Sequence, residues 1–257
     1  MSLQEYLQKE IEVAERCRDE YRPEFAAFAE LAGFYERLTG IVKVAERRAY
    51  IPAELLLVVT NQMFGAGSQM LRTRDTDALA LTRRAIEATA SAYRMWEHPE
   101  LVDVYVNAYP NHDKIGHPKQ WERTKKAYKE FSMRNLFSPE GDVFAALKSL
   151  YSLASAMASH AGIGALAGHR DRNLQRIATF LGTDPRDTTN HWYTLIGAYM
   201  EMFKVFVRMM RGNAPTGAID VLVKDFLNWR DRIAAAHADR APWASQTAAL
   251  FRHPRTF

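Results

Sequence analysis

The chain has 257 residues, of which 47% are hydrophobic, 25% charged and 11% aromatic, fractions that exclude a disordered, collagenous or simple coiled-coil protein. Thirty-four Lys and Arg against 30 Asp and Glu leave a net charge of +4, too weak a bias to argue for nucleic acid on its own. One cysteine, Cys17, excludes a disulfide framework and any four-cysteine zinc site.

Residues 1–20 mix acids and bases (Glu5, Lys9, Glu10, Glu12, Glu15, Arg16, Arg18) and lack the apolar centre of a signal peptide. The least polar stretch, 147–168, carries Lys148, His160 and several hydroxyls, and so reads as a bundle helix rather than a membrane span. A reduced, cytoplasmic setting without a membrane partner is expected.

Helical periodicity runs through nearly the whole chain, and strict two-residue alternation is almost absent. Residues 3–20 read as a first amphipathic helix. A second starts at Pro23, a residue suited to a first turn, and runs to Val42 with Gly33 and Gly40 as bends. Pro52 opens a third, with Leu55, Leu56, Val59, Met63 and Phe64 on its apolar side. Asp75 or Thr76 caps a fourth that ends at Glu97, before Pro99. A short helix follows at 99–109, then a loop at 110–118, then a polar helix over 121–131. Ser138-Pro139-Glu140-Gly141 starts a helix over 139–160. The glycine- and charge-rich segment 161–187 includes a short extended piece at 177–181. Helices at 188–211 and 217–238 precede a tail, from Pro242, of a short helix and a loose end. Without a repeat or a linker, residues 1–257 read as a single all-α domain, a bundle of about eight helices.

Few motifs survive a weighing against bland alternatives. His112-Asp113 has the residue types of a metal-dependent phosphohydrolase doublet, but it lies between Pro110 and Pro118 in a loop and reads as solvated. No histidine has Glu three residues before it, as a helical di-iron site requires, and Asp187 four residues before His191 reads as a helix-start cap. No metal and no organic cofactor is expected. Gly65, Gly67 and Ser68 follow no strand, so they point to close helix packing rather than a phosphate cradle. Trp192, Tyr199, Phe203, Phe206 and Met210 recur at helical spacing and read as core. Arg16 and Arg18 beside Cys17 would lower its pKa, but without a placed base it reads as a lone thiol.

Two constellations carry more. Arg186 with His191, and Arg232 or Arg230 with His237, have the Arg–His separation of HEPN ribonucleases (higher eukaryotes and prokaryotes nucleotide-binding). In that class the Arg supports the charge of the scissile phosphate and the His helps activate the ribose hydroxyl. Chance alone supplies about as many such pairs as this Arg-rich chain holds, so spacing adds little. The second is Arg83 and Glu87, four apart on one helical face, with Tyr93 and the later Tyr151, Ser155, Ser159 and His160. Leu79, Leu81, Ile86 and Ala88 surround the pair with apolar residues, so a buried network with Glu87 meeting His160 is expected, and a structural role is favoured over a ligand or catalytic site.

The stretch Leu81-Thr-Arg83-Arg-Ala-Ile-Glu87-Ala, then Tyr93-Arg-Met-Trp-Glu-His-Pro99-Glu100, then Trp121 and the Tyr151…Ser155…His160 helix, resembles a family of bacterial all-helical domains of unknown function. They occur in mobile-element and defence-associated contexts. The resemblance covers about 80–165, a third of the chain. It implies an all-helical fold and an uncharacterised role, with a distant likeness to the HEPN class. The leading expectation is an interaction or regulatory module that forms a homodimer or binds a protein or RNA partner. A HEPN-like ribonuclease or toxin is the first alternative. A small-molecule binder or enzyme with a pocket at Arg83, Glu87 and His160 is the second.

Overall fold

The structure, a computed structural model, describes residues 2–44, 47–108, 118–137, 142–158 and 185–237. These residues form helices α1 (Leu3–Glu20), α2 (Arg22–Ile41), α3 (Arg47–Leu71), α4 (Asp75–Glu97), α5 (Leu101–Val106), α6 (Pro118–Glu130), α7 (Met133–Leu136), α8 (Asp142–Ala158), α9 (Pro185–Met210) and α10 (Ala218–His237). Among the described residues there is no strand, and 89% are helical. The class is all-α, as the periodicity requires; α5 falls within the short helix expected at 99–109, while α7, at four residues, is too short to show a period.

Local chemistry sets several ends. Ser2 and Glu5 form a reciprocal capping box at the start of α1, with Glu5 N–H to Ser2 Oγ at 3.2 Å and Ser2 N–H to Glu5 Oε2 at 2.7 Å. Pro23 occupies the first turn of α2. Pro52 does not open α3. The helix begins about a turn earlier, at Arg47, so the proline removes one backbone hydrogen bond near the start and is tolerated there. α3 turns sharply into α4 through Thr73, whose φ of 58° is uncommon for a β-branched residue. The Arg74 N–H closes the turn on the Gln69 carbonyl at 2.9 Å.

The core is built around α9, which packs against α2, α3, α4 and α8. Trp192, Tyr199, Phe203, Phe206 and Met210 are fully buried, as their spacing implies. Phe28 meets Trp192 and Tyr199 edge-on at centroid distances of 5.6 and 5.9 Å. Phe34, Phe203, Phe226 and Trp229 continue the aromatic stack to α10. Such edge contacts add about 0.5–1.5 kcal/mol each beyond burial. Tyr35 donates from its buried hydroxyl to the Tyr199 carbonyl at 2.7 Å. Burial pushes the Tyr35 and Tyr199 phenols upward, so both stay protonated.

Two glycines of α3 have the packing role their context suggests. A Cβ at Gly67 would lie 2.7 Å from Cε1 of buried Phe28, and one at Gly65 would lie 3.1 Å from Cδ1 of Leu81. Cys17 is buried, and the cost of charging a desolvated thiol raises its pKa despite the neighbouring Arg16, the reverse of the direction its flanking arginines suggest. No helix among the described residues is long and apolar enough to cross a membrane. His112, Asp113, the extended piece at 177–181, the loop 110–117, Ser159, His160 and the tail lie outside the described residues.

Candidate functional site

The Arg83 constellation forms in part. α4 and α8 lie side by side, and Tyr151 donates its hydroxyl to Glu87 Oε1 at 3.0 Å while Arg83 Nε reaches the same oxygen at 3.2 Å. The Arg83 guanidinium also stands 5.4 Å from the centroid of the Tyr151 ring. Ser155 lies one turn beyond Tyr151 on α8. The cluster is not deeply buried: the Glu87 side chain keeps 34% of its exposure, because the row that carries it borders the seam between the helices. Water shares the charge, and the pair is only partly desolvated: burial pulls the Arg83 pKa down, but contact with Glu87 and Tyr151 outweighs it and the net shift is upward. Tyr93 stands apart from the cluster, six residues or about 9 Å beyond Glu87 along α4. It is buried under the Arg208 guanidinium of α9, 5.6 Å from its ring centroid.

A second polar cluster, not anticipated as a unit, closes the end of the bundle where α3 turns into α4. Buried Glu10 of α1 pairs with Arg74 through Oε1, accepts from the Tyr6 hydroxyl at 3.2 Å, and lies 4.0 Å from Arg72 Nε. One residue on, Asp75 Oδ2 is 2.7 Å from Nδ1 of His191, near the start of α9. The approach is close enough for charge pairing although the N–H does not lie along a hydrogen-bond line. Buried Glu24 of α2 accepts from the Tyr193 hydroxyl at 3.2 Å. Burial alone would raise the Asp75 carboxyl, but contact with His191 and the backbone N–H of Thr76 outweighs it, and the pKa falls below the ordinary 3.8. The His191 imidazole is only 15% exposed. Asp75 was legible as a helix-start residue. Its partner, 116 positions away in the chain, gave no local signal.

The Arg–His pairs are each half described, since the side chains of Arg186 and His237 lie outside the described residues. Of the others, His191 is engaged by Asp75, Arg232 reaches Glu30 of α2 at 2.5 Å, and Arg230 folds onto its neighbour Asp231 at 2.7 Å. Arg232 and Glu30 border a shallow groove of about 470 Å³ between α2 and α10, floored by Phe34 and Trp229. Arg37 and Asp225, 2.6 Å apart, close its other side.

α3 buries Leu55, Leu56, Val59 and Met63 as expected, but its outer surface carries a row the sequence did not suggest. Its outward row is Tyr50, Glu54, Leu57, Val58, Asn61 and Phe64, all exposed. Phe64, counted on the apolar side of this helix, belongs to this row and not to the core. On α1, Leu3, Leu7 and Ile11 form a second exposed apolar row at four-residue spacing. No family model, curated protein or solved structure matches the chain.

Proposed function

We propose that the protein is a helical interaction module that pairs with a second copy of itself through the outward row of α3. The observation that carries this reading is the row itself: four of its six exposed positions are large and apolar, and Glu54 is its one charge. A solvent-facing helix row is ordinarily charged, because an apolar stripe gains nothing from water. From Tyr50 to Phe64 the stripe spans about 21 Å of helix axis.

The row is self-complementary under a two-fold axis. Antiparallel pairing about the Leu57–Val58 step sets Leu57 against the partner's Val58 and sets the Glu54 carboxylate opposite the partner's Asn61 amide. The central apolar residues then meet each other, Tyr50 and Phe64 fall within one residue of facing one another at the two ends, and the one charge meets a donor, which suits an isologous contact. Leu3, Leu7 and Ile11 supply further apolar area at the margin.

Sedimentation of the purified chain tests the reading. The expected result is a dimer that becomes monomer in Leu57→Glu/Phe64→Glu, with an unchanged helical signal since both positions are exposed. A chain that sediments as a monomer at tens of micromolar, or a dimer indifferent to the double substitution, overturns it.

A further inference from the structure

We infer that the outer face of α6 binds single-stranded nucleic acid, stacking unpaired bases on Trp121 and Tyr128 while the lysines between them hold the phosphates. Trp121 and Tyr128 are 71% and 76% exposed, more than any other described aromatic. They stand seven residues apart, on one side of the helix and about 10 Å apart along it. Lys125 lies between them on that side and Lys129 follows one turn later, with Glu122 bordering the row and Arg123 and Lys126 set well round the helix from it, all exposed. Among the described residues none of these four cations has a carboxylate partner.

The other side of α6 is fixed in place. Ala127 is buried, Thr124 donates to the Ala108 carbonyl at 3.2 Å, and Glu130 is drawn inward by Arg94 at 2.8 Å. Phe131, just beyond the helix, packs on Tyr105 at 5.1 Å. One of the two acidic residues of α6 is thereby turned away, leaving exposed Glu122 against four cations, and the aromatics stay outside although their burial would stabilise the fold.

Aromatic faces alternating with cations are the elements of a stacking platform, since every base offers a π face and every nucleotide a phosphate. A duplex hides its bases from such a face. A membrane-surface helix needs a continuous aliphatic side, which α6 lacks: its exposed described positions hold two aromatics, cations and Glu122, with no Leu, Ile, Val or Phe. This surface is separate from α3, and its failure would leave the α3 pairing untouched.

Fluorescence anisotropy of the full chain with labelled twelve-nucleotide oligo(rU) and oligo(dT) tests the inference. Binding of either, with a duplex of the same length bound more weakly, is expected. Trp121→Ala and Tyr128→Ala should each weaken binding about tenfold with an unchanged melting temperature. Lys125→Gln/Lys129→Gln should lower the slope of log affinity against log salt by about 1.4. Absence of binding at low salt, equal competition by poly-glutamate, affinity indifferent to Trp121→Ala, or binding only to phosphatidylserine vesicles overturns it.

Discussion

The two polar clusters of α4 have opposite characters. Around Glu87 the partners lie on one helix at four-residue spacing and on the helix beside it, and the group remains open to water. At the other end of α4, Arg74 and Asp75 meet Glu10 and His191, residues far away in the chain; these distant partners are largely shut from solvent, while Arg74 and Asp75 themselves keep about a third of their exposure. The difference separates charge pairing that a helix makes by itself from charge pairing that the packing of helices forces. The first is weak and readable, the second stronger and hidden.

The largest expected effect is at the closed end. Glu10→Ala strips Arg74 and Tyr6 of their common acceptor and should lower stability by about 2–3 kcal/mol, moderated because Arg74 still reaches water. Urea unfolding checks it, and a loss under 0.5 kcal/mol would make this end no different from an exposed pair.

Asp75→Asn should cost about 1–2 kcal/mol, from the lost contact with His191 and the lost charge at the start of α4. The effect depends on pH with a definite sign. The folded pKa of Asp75 lies below the unfolded one, so its contribution is present above the ordinary 3.8 and is lost as pH falls through the lowered value. Wild type and variant should therefore differ in melting temperature at mildly acidic pH and converge in stronger acid. A gap that widens toward low pH would reverse the assignment.

Glu87→Ala is the smallest. With water already at the carboxylate, losing the Tyr151 and Arg83 contacts should cost about 1 kcal/mol, not the 3–5 kcal/mol of a stranded core charge. A loss above 3 kcal/mol would show that the cluster behaves as buried and would erase the contrast with Glu10.

The sequence by itself determined the elements. α1 has the bounds its amphipathic pattern predicts. α4 ends at Glu97 as expected but is preceded by Arg74 rather than capped by Asp75 or Thr76, which lie inside its first turn. The aromatic row of α9 is core because an apolar helix surrounded by amphipathic ones has nowhere else to go. It also brought out Arg83 with Glu87, since a four-residue separation fixes a shared face whatever the rest of the chain does. Tertiary structure decided everything that required two distant segments at once. Periodicity gives an apolar stripe but not its width, so it assigned Phe64 to the core, while the packing of α2, α4 and α9 on α3 covers Val59 and Met63 and leaves Leu57, Val58 and Phe64 outside. The same packing chose His191 as the partner of Asp75 and left Trp121 and Tyr128 in solvent, because a side chain's surroundings depend on which helices arrive beside it, and no local pattern encodes that arrival.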